Sequence, residues 1–255
     1  MAAPENPPGF IVRTEVEKAT WDQGFRIPLG EEGAWLRYAS TTARGEIWLA
    51  GIPKHGPWFL SLGDAAVAAE FGPASASEVS GPGIATFTFA TLPELHAGLD
   101  RAYKLAVSLP DAPLQAFQAA TKALPKTTEA ERLVVQRIGQ ELFRDALLSY
   151  WGGRCPLTGI TDHALLRASH IVAWADCETD ALRLDVHNGL LLSSLWDAAF
   201  DSGLLSFDDT GAMLASSKLS SAAAAALGLE KAVPLPNLTP VHRFNLARHR
   251  TKHGY

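Results

Sequence analysis

Three side chains stand in an order suited to phosphodiester hydrolysis. His170 closes the run Arg-Ala-Ser-His, Asn188 follows in His-Asn-Gly, and Asp197 opens a helix-like segment, with gaps of 18 and 9 residues between them. Such hydrolysis needs a base for the attacking water, positive charge against the phosphoryl oxygens, and help for the leaving oxygen. A neutral histidine suits the first task, because its ordinary pKa lies near working pH. One divalent cation on hard ligands suits the other two. The geometry requires the histidine on one strand of a hairpin, with the ligands on the next strand and on the helix packed over both. RASHIVAW reads as the first strand, NGLLLS as the second and SLWDAAFD as the start of the helix.

Other elements must hold that hairpin. TEAERLVVQRIGQELFRDALLSYW predicts a long helix, with Leu133, Ile138, Leu142, Phe143, Leu147 and Leu148 forming an apolar stripe and Gly152-Gly153 ending it. After the catalytic segment come a short hairpin (GLLSFDDTGAMLA), an Ala/Ser-rich helix over 216–228 and a last helix over 240–250. Toward the N-terminus, FIVRTEV, GAWLRYA, GEIWLAGI and PWFLSL have strand character, separated by punctuation such as PLGEEG and PKHG. GDAAVAAEFG reads as a short helix stopped by Gly72, IATFTFA as a strand, and the segment after Thr91 as a helix capped by that threonine. The expected class is α+β. An N-terminal α+β domain with a curved antiparallel sheet spans 1–112, a linker 113–135, and a second domain 136–255.

Composition limits the classes of function. At 255 residues, 47% hydrophobic and 19% charged, the chain can bury a substantial core like an ordinary globular protein. MAAPENPPGF lacks the basic residue and apolar run of a leader, and no stretch approaches the ~18 apolar residues of a membrane span. The expectation is a cytoplasmic protein with no membrane partner. Cys155 and Cys177 form no Cys-x-x-Cys pair, which argues for two reduced, buried thiols and against a four-cysteine zinc site. The net charge of −5 does not advertise a nucleic-acid binder. Residues 1–115 hold 8 Lys/Arg against 13 Asp/Glu, whereas 116–255 hold 14 of each. The closing VHRFNLARHRTKHGY has four cations, Arg243, Arg248, Arg250 and Lys252, and no acid. Phosphate contact is therefore expected in the C-terminal half.

Four pieces in order carry a resemblance: RIGQELFRDALLSYWGGRCPLTG, ASHIVAW, RLDVHNGLLLSSLWDAAFDSGLLSF and HRFNLARHR. Over residues 136–250 the chain resembles the HNH (ββα-metal, His-Me finger) endonucleases, and more closely their bacterial restriction-type branch. The resemblance implies that His170 is the general base, that Asn188 orients the hairpin or ligates the metal, and that Asp197 stands where the family has its last histidine. A carboxylate there shifts the expected metal to Mg²⁺ or Mn²⁺. The position before the base is Ser169, a departure from the acidic residue or histidine frequent in the family. His187 is a metal ligand, a phosphate contact or a polar loop residue. Arg183 grips a phosphate or makes a salt bridge, and Asp201 is a supporting carboxylate or a helix-end acceptor. Arg243 and Arg250 are candidate DNA contacts. The implied partner is DNA, with a possible homodimer to cut both strands. An N-terminal domain of this resemblance is expected to read modified bases in an aromatic pocket. Trp35, Tyr38, Trp48 and Trp58 are the candidates, with Arg37, Arg44, Lys54 and His55 beside them. The rival readings are a nuclease effector steered by a protein partner and a non-catalytic DNA-binding protein on the same scaffold.

Overall fold

The first regular element is a helix, α1 (Phe10–Asp22), where the β-branched run FIVRTEV predicts a strand. Its buried residues, Val12, Val16, Ala19 and Thr20, recur at helical spacing on one stripe. That periodicity outweighs a strand preference that depends strongly on context. The structure is a computed structural model that describes residues 3–54, 56–72, 79–125 and 127–255. Its contacts divide the chain into Met1–Leu109 and Pro110–Tyr255. Among the described residues, no helix is long and apolar enough to cross a membrane.

The first unit continues with β1 (Ile27–Glu32), β2 (Trp35–Ala39), β3 (Glu46–Gly51), β4 (Trp58–Leu62), α2 (Ala65–Phe71), β5 (Ala85–Phe89) and α3 (Leu92–Ser108). The strands form one antiparallel sheet in sequence order. β1 occupies a stretch that reads as loop punctuation. It is an exposed edge strand whose register shifts between Pro28 and Gly30, and Gly30 takes φ 109°, which suits glycine. Thr91 and Glu94 close a capping box at the start of α3.

Strand alternation corrects the expected base pocket. The pairs Arg37↔Trp48 and Ala50↔Phe59 put Trp35, Trp48 and Phe59 on one face of the sheet. The pairs Tyr38↔Ile47 and Gly51↔Trp58 put Tyr38 and Trp58 on the other. Trp35, Tyr38 and Trp58 are buried, so no single pocket holds all four aromatics. Arg37 is ion-paired with Glu46 and lies 5.6 Å from the Trp48 ring, and Arg44 is paired with Asp64 at 2.7 Å. His55 lies outside the described residues.

The second unit begins with α4 (Asp111–Thr121) and α5 (Glu129–Tyr150). α4 packs on α5, so most of the span 113–135, expected as a partly helical linker, is helix of the second unit. Thr128 and Glu131 make the capping box of α5. Then come β6 (Leu166–His170), α6 (Asp180–Leu184), β7 (Gly189–Ser193), α7 (Ser194–Asp201), β8 (Leu205–Phe207), β9 (Met213–Ala215), α8 (Ser221–Leu227) and α9 (Pro240–His253). β6 and β7 pair antiparallel, from Leu166↔Ser193 to His170↔Gly189, and α5 and α7 both pack on them.

Close packing explains the glycine of His-Asn-Gly. A Cβ on Gly189 would lie 2.5 Å from the Phe143 ring and 2.8 Å from Leu147, so only glycine lets α5 press this closely on β7. The basic tail is also part of the core. His249 on α9 is buried, stacks at 4.0 Å on Phe200 of α7, and bonds Ser206 Oγ and the Phe200 carbonyl. Burial lowers its pKa to about 4, so the ring is neutral at pH 7 and holds α9 against α7 and β8.

Candidate active site

His170 is the last residue of β6, and the pleat turns it toward α5. Its ring stacks on Phe143 at 3.8 Å and meets Trp174 edge-on at 5.5 Å. Nε2 lies 2.9 Å from the carbonyl oxygen of Arg183. A carbonyl only accepts, so Nε2 carries the proton and the lone pair is on Nδ1. Burial lowers the pKa to about 4, while the Arg183 carbonyl and the charge of Asp201 pull it back upward. The ring is therefore neutral at pH 7, with one nitrogen anchored and the other able to accept a proton.

Ser169 faces the opposite way, toward α7. Its hydroxyl is buried without a hydrogen-bond partner, yet near enough to Asp197 to stabilise that carboxylate. Asp197 and Asp201 stand four residues apart on α7, and so on one helix face. Burial raises the pKa of Asp197, with a further push from Asp201; Ser169 and the cation of Arg167 oppose this. The charge of Asp201 thus reaches both Asp197 and His170. A half-buried Asp197 beside the Ser169 hydroxyl, with the exposed Asp201 one helical turn further on, is an arrangement that suits a hard cation. Mg²⁺ keeps several of its waters and needs only one or two carboxylates. Among the described residues no cluster of three His, Cys, Asp or Glu side chains is preformed.

Asn188 is fully buried just before β7. Its Oδ1 accepts from Val172 N at 2.8 Å. Its amide donates to the carbonyls of Val172 at 3.1 Å and Leu182 at 3.2 Å, with Cys177 Sγ at 3.4 Å. One side chain thereby ties both ends of the 171–187 loop to the hairpin, including the helix whose Arg183 carbonyl anchors His170. A hydrated cation has no access to an amide so enclosed. The free Cys177 thiol beside it is buried, and burial raises its pKa.

The other candidates fall at different places. Arg183 bonds the carbonyls of Trp174 and Cys177, pairs with Asp180 at 2.8 Å and lies over the Trp174 ring, so its guanidinium is engaged inside the loop. His187 is buried, with Nδ1 2.8 Å from Asp185, among Tyr150 and His242. Arg250 bonds the Phe207 carbonyl and Asp209, both at 2.7 Å. Arg243 is exposed on α9 and has no ion pair among the described residues. Asp201, one of the two roles expected for it being a supporting carboxylate, lies within electrostatic reach of the site, and Arg167 becomes visible as a neighbour only in three dimensions. The i, i+4 spacing of Asp197 and Asp201 on a predicted helix was the signal for the first; nothing in the chain order marks the second.

Residues 155–208 match the family model described as HNH endonuclease. This segment is an HNH domain. The match runs from Cys155 through the hairpin and α7 to the end of β8, and so covers His170, Asn188, Asp197 and Asp201. No curated protein matches the chain. The HNH domain supports a nuclease that hydrolyses DNA, and nucleases of this family generally use a divalent metal.

Proposed function

We propose that the protein is a metal-dependent DNA endonuclease of restriction type, with His170 as general base and Asp197 and Asp201 as the protein ligands of Mg²⁺ or Mn²⁺. The observation that carries the reading is the anchored, neutral His170 within electrostatic reach of Asp201, with Asp197 one turn from Asp201 on the helix that closes the hairpin. Nδ1 of His170 takes the proton of the attacking water, and the Arg183 carbonyl and Asp201 stabilise the imidazolium that results. A bound divalent cation supplies the charge that stabilises the phosphoryl and leaving oxygens. Ser169 Oγ, on the Asp197 side of the hairpin, is a further neutral oxygen for that cation or one of its waters. Asn188 acts by holding the loop, and Arg183 by presenting its carbonyl to His170.

A nuclease hairpin of this size has little selectivity of its own, so we assign targeting in defence against modified foreign DNA to the first unit. Of the aromatics considered, Trp48 is the one left half-exposed, with Arg37 over its ring. On this reading base contact falls to that face of the sheet. The test is cleavage of plasmid DNA, modified and unmodified, with Mg²⁺ or Mn²⁺. The wild type is expected to cut, whereas His170→Ala loses at least ~10²-fold in rate, the usual scale of a general base. A wild type that cuts no DNA in any modification state, with either metal, refutes the reading.

A further inference from the structure

The charge that a bound cation would place on the phosphoryl oxygens can be shared by a fixed protein cation on the strand side. We propose that Arg167 on β6 is that group, a catalytic residue that grips the non-bridging oxygens of the scissile phosphate. The assignment rests on the nuclease reading above.

Three observations lead to it. Arg167 is two residues before Ser169 on β6, so the pleat directs both side chains to the same face of the hairpin, the face on which Asp197 lies. Its charge reaches the Asp197 carboxylate, yet the two form no ion pair, and the guanidinium has no carboxylate partner among the described residues. The side chain is exposed but held. Nη1 donates to the carbonyls of Ala164 at 2.9 Å and Leu166 at 3.0 Å. Nε and Nη2 make no hydrogen bond, and an Arg edge with two free donors matches the bidentate geometry of a phosphate.

The other arginines near the hairpin do not offer this. Arg144 bonds the carbonyls of Leu166 and His163, and Arg183 is engaged within its loop. Arg144 and Arg167 share the Leu166 carbonyl as an acceptor, so the strand that carries His170 also fixes the base of the proposed grip. Preorganised charge of this kind acts on the transition state at little reorganisation cost.

The experiment compares wild type, Arg167→Ala, Arg167→Lys and His170→Ala. Single-turnover cleavage of duplex DNA with Mg²⁺ is measured alongside DNA affinity in Ca²⁺ and thermal unfolding. For Arg167→Ala the expected result is a rate down by about 10²- to 10³-fold, the range seen when one oxyanion donor is removed. DNA affinity should change by less than about threefold, because a single phosphate contact is lost from many, and the melting temperature should hold. Arg167→Lys should restore part of the rate, since it keeps the charge and loses the fork. An Arg167→Ala rate within about threefold of wild type overturns the assignment and leaves the nuclease reading standing. Loss of rate accompanied by equal loss of DNA affinity or of folding also overturns it, because Arg167 is then a binding or structural residue. A wild type without activity overturns the nuclease reading and this assignment together.

Discussion

Replacing Asn188 by alanine separates a metal ligand from a structural tie. The amide accepts from Val172 N and donates to the carbonyls of Val172 and Leu182, all at 2.8–3.2 Å in a fully buried setting. Truncation strands the Val172 N–H without an acceptor. The Val172 carbonyl keeps a contact from Cys177 Sγ at 3.3 Å, and the bond to the Leu182 carbonyl is only partly buried. A buried polar group left unsatisfied costs about 1–3 kcal/mol, and the stranded Val172 N–H sets the loss at that scale. At roughly 1.4 kcal/mol per tenfold, protection of the Val172 amide against hydrogen exchange should fall about 5- to 140-fold. Asn188→Asp should do no better. It retains an acceptor for Val172 N but turns a carboxylate oxygen toward two carbonyls and buries charge. The assay is amide exchange resolved at Val172, with Mn²⁺ affinity measured on the same variants. Wild-type protection in Asn188→Ala combined with a tenfold loss of Mn²⁺ affinity would refute the account and make Asn188 a ligand.

Two further outcomes follow from the packing. His249 is neutral in the fold with a pKa near 4, against an unfolded value of about 6.5, so it favours the folded state above pH 6.5 and loses that contribution as pH falls toward 4. The shift corresponds to about 3 kcal/mol at the acid end. Urea unfolding of wild type and His249→Leu should therefore show a stability gap that narrows from pH 7 to pH 4.5, and a gap independent of pH counts against a buried neutral ring. Gly189→Ala places a methyl against Phe143 and Leu147 and should cost about 1–3 kcal/mol by overpacking. A melting temperature equal to wild type would show that α5 does not press on β7 as described.

Much of the site could be read from the chain. The strand–strand–helix order around His170, Asn188 and Asp197, the long capped helix before it and the small hairpin after it all follow from local periodicity and turn residues, and these elements formed. Local pattern misled in two places. FIVRTEV is helix because one buried stripe decides over the preference of individual residues. IPLGEE pairs as an edge strand although its Pro and Gly read as loop. Residues 111–121, expected as part of a partly helical connector, form a regular helix with Pro113 and Phe117 buried, so Pro113 does not break it.

The types of residue available for the chemistry, and their order, were set by the sequence alone. A histidine followed by a buried-type amide and a helix-borne acid restricts the reaction to very few classes. The tertiary structure decided which atoms are available for it. Folding enclosed both sides of the Asn188 amide, turned Arg183 inward and buried His187 against Asp185. It brought Asp201 within electrostatic reach of His170 and left two donors of Arg167 without partners. Hydrogen-bond commitment and burial depend on residues distant in the chain, such as Phe143 against His170 and Val172 against Asn188. Spacing along the sequence carries no record of these contacts, which exist only once the loop and both helices have closed on the hairpin.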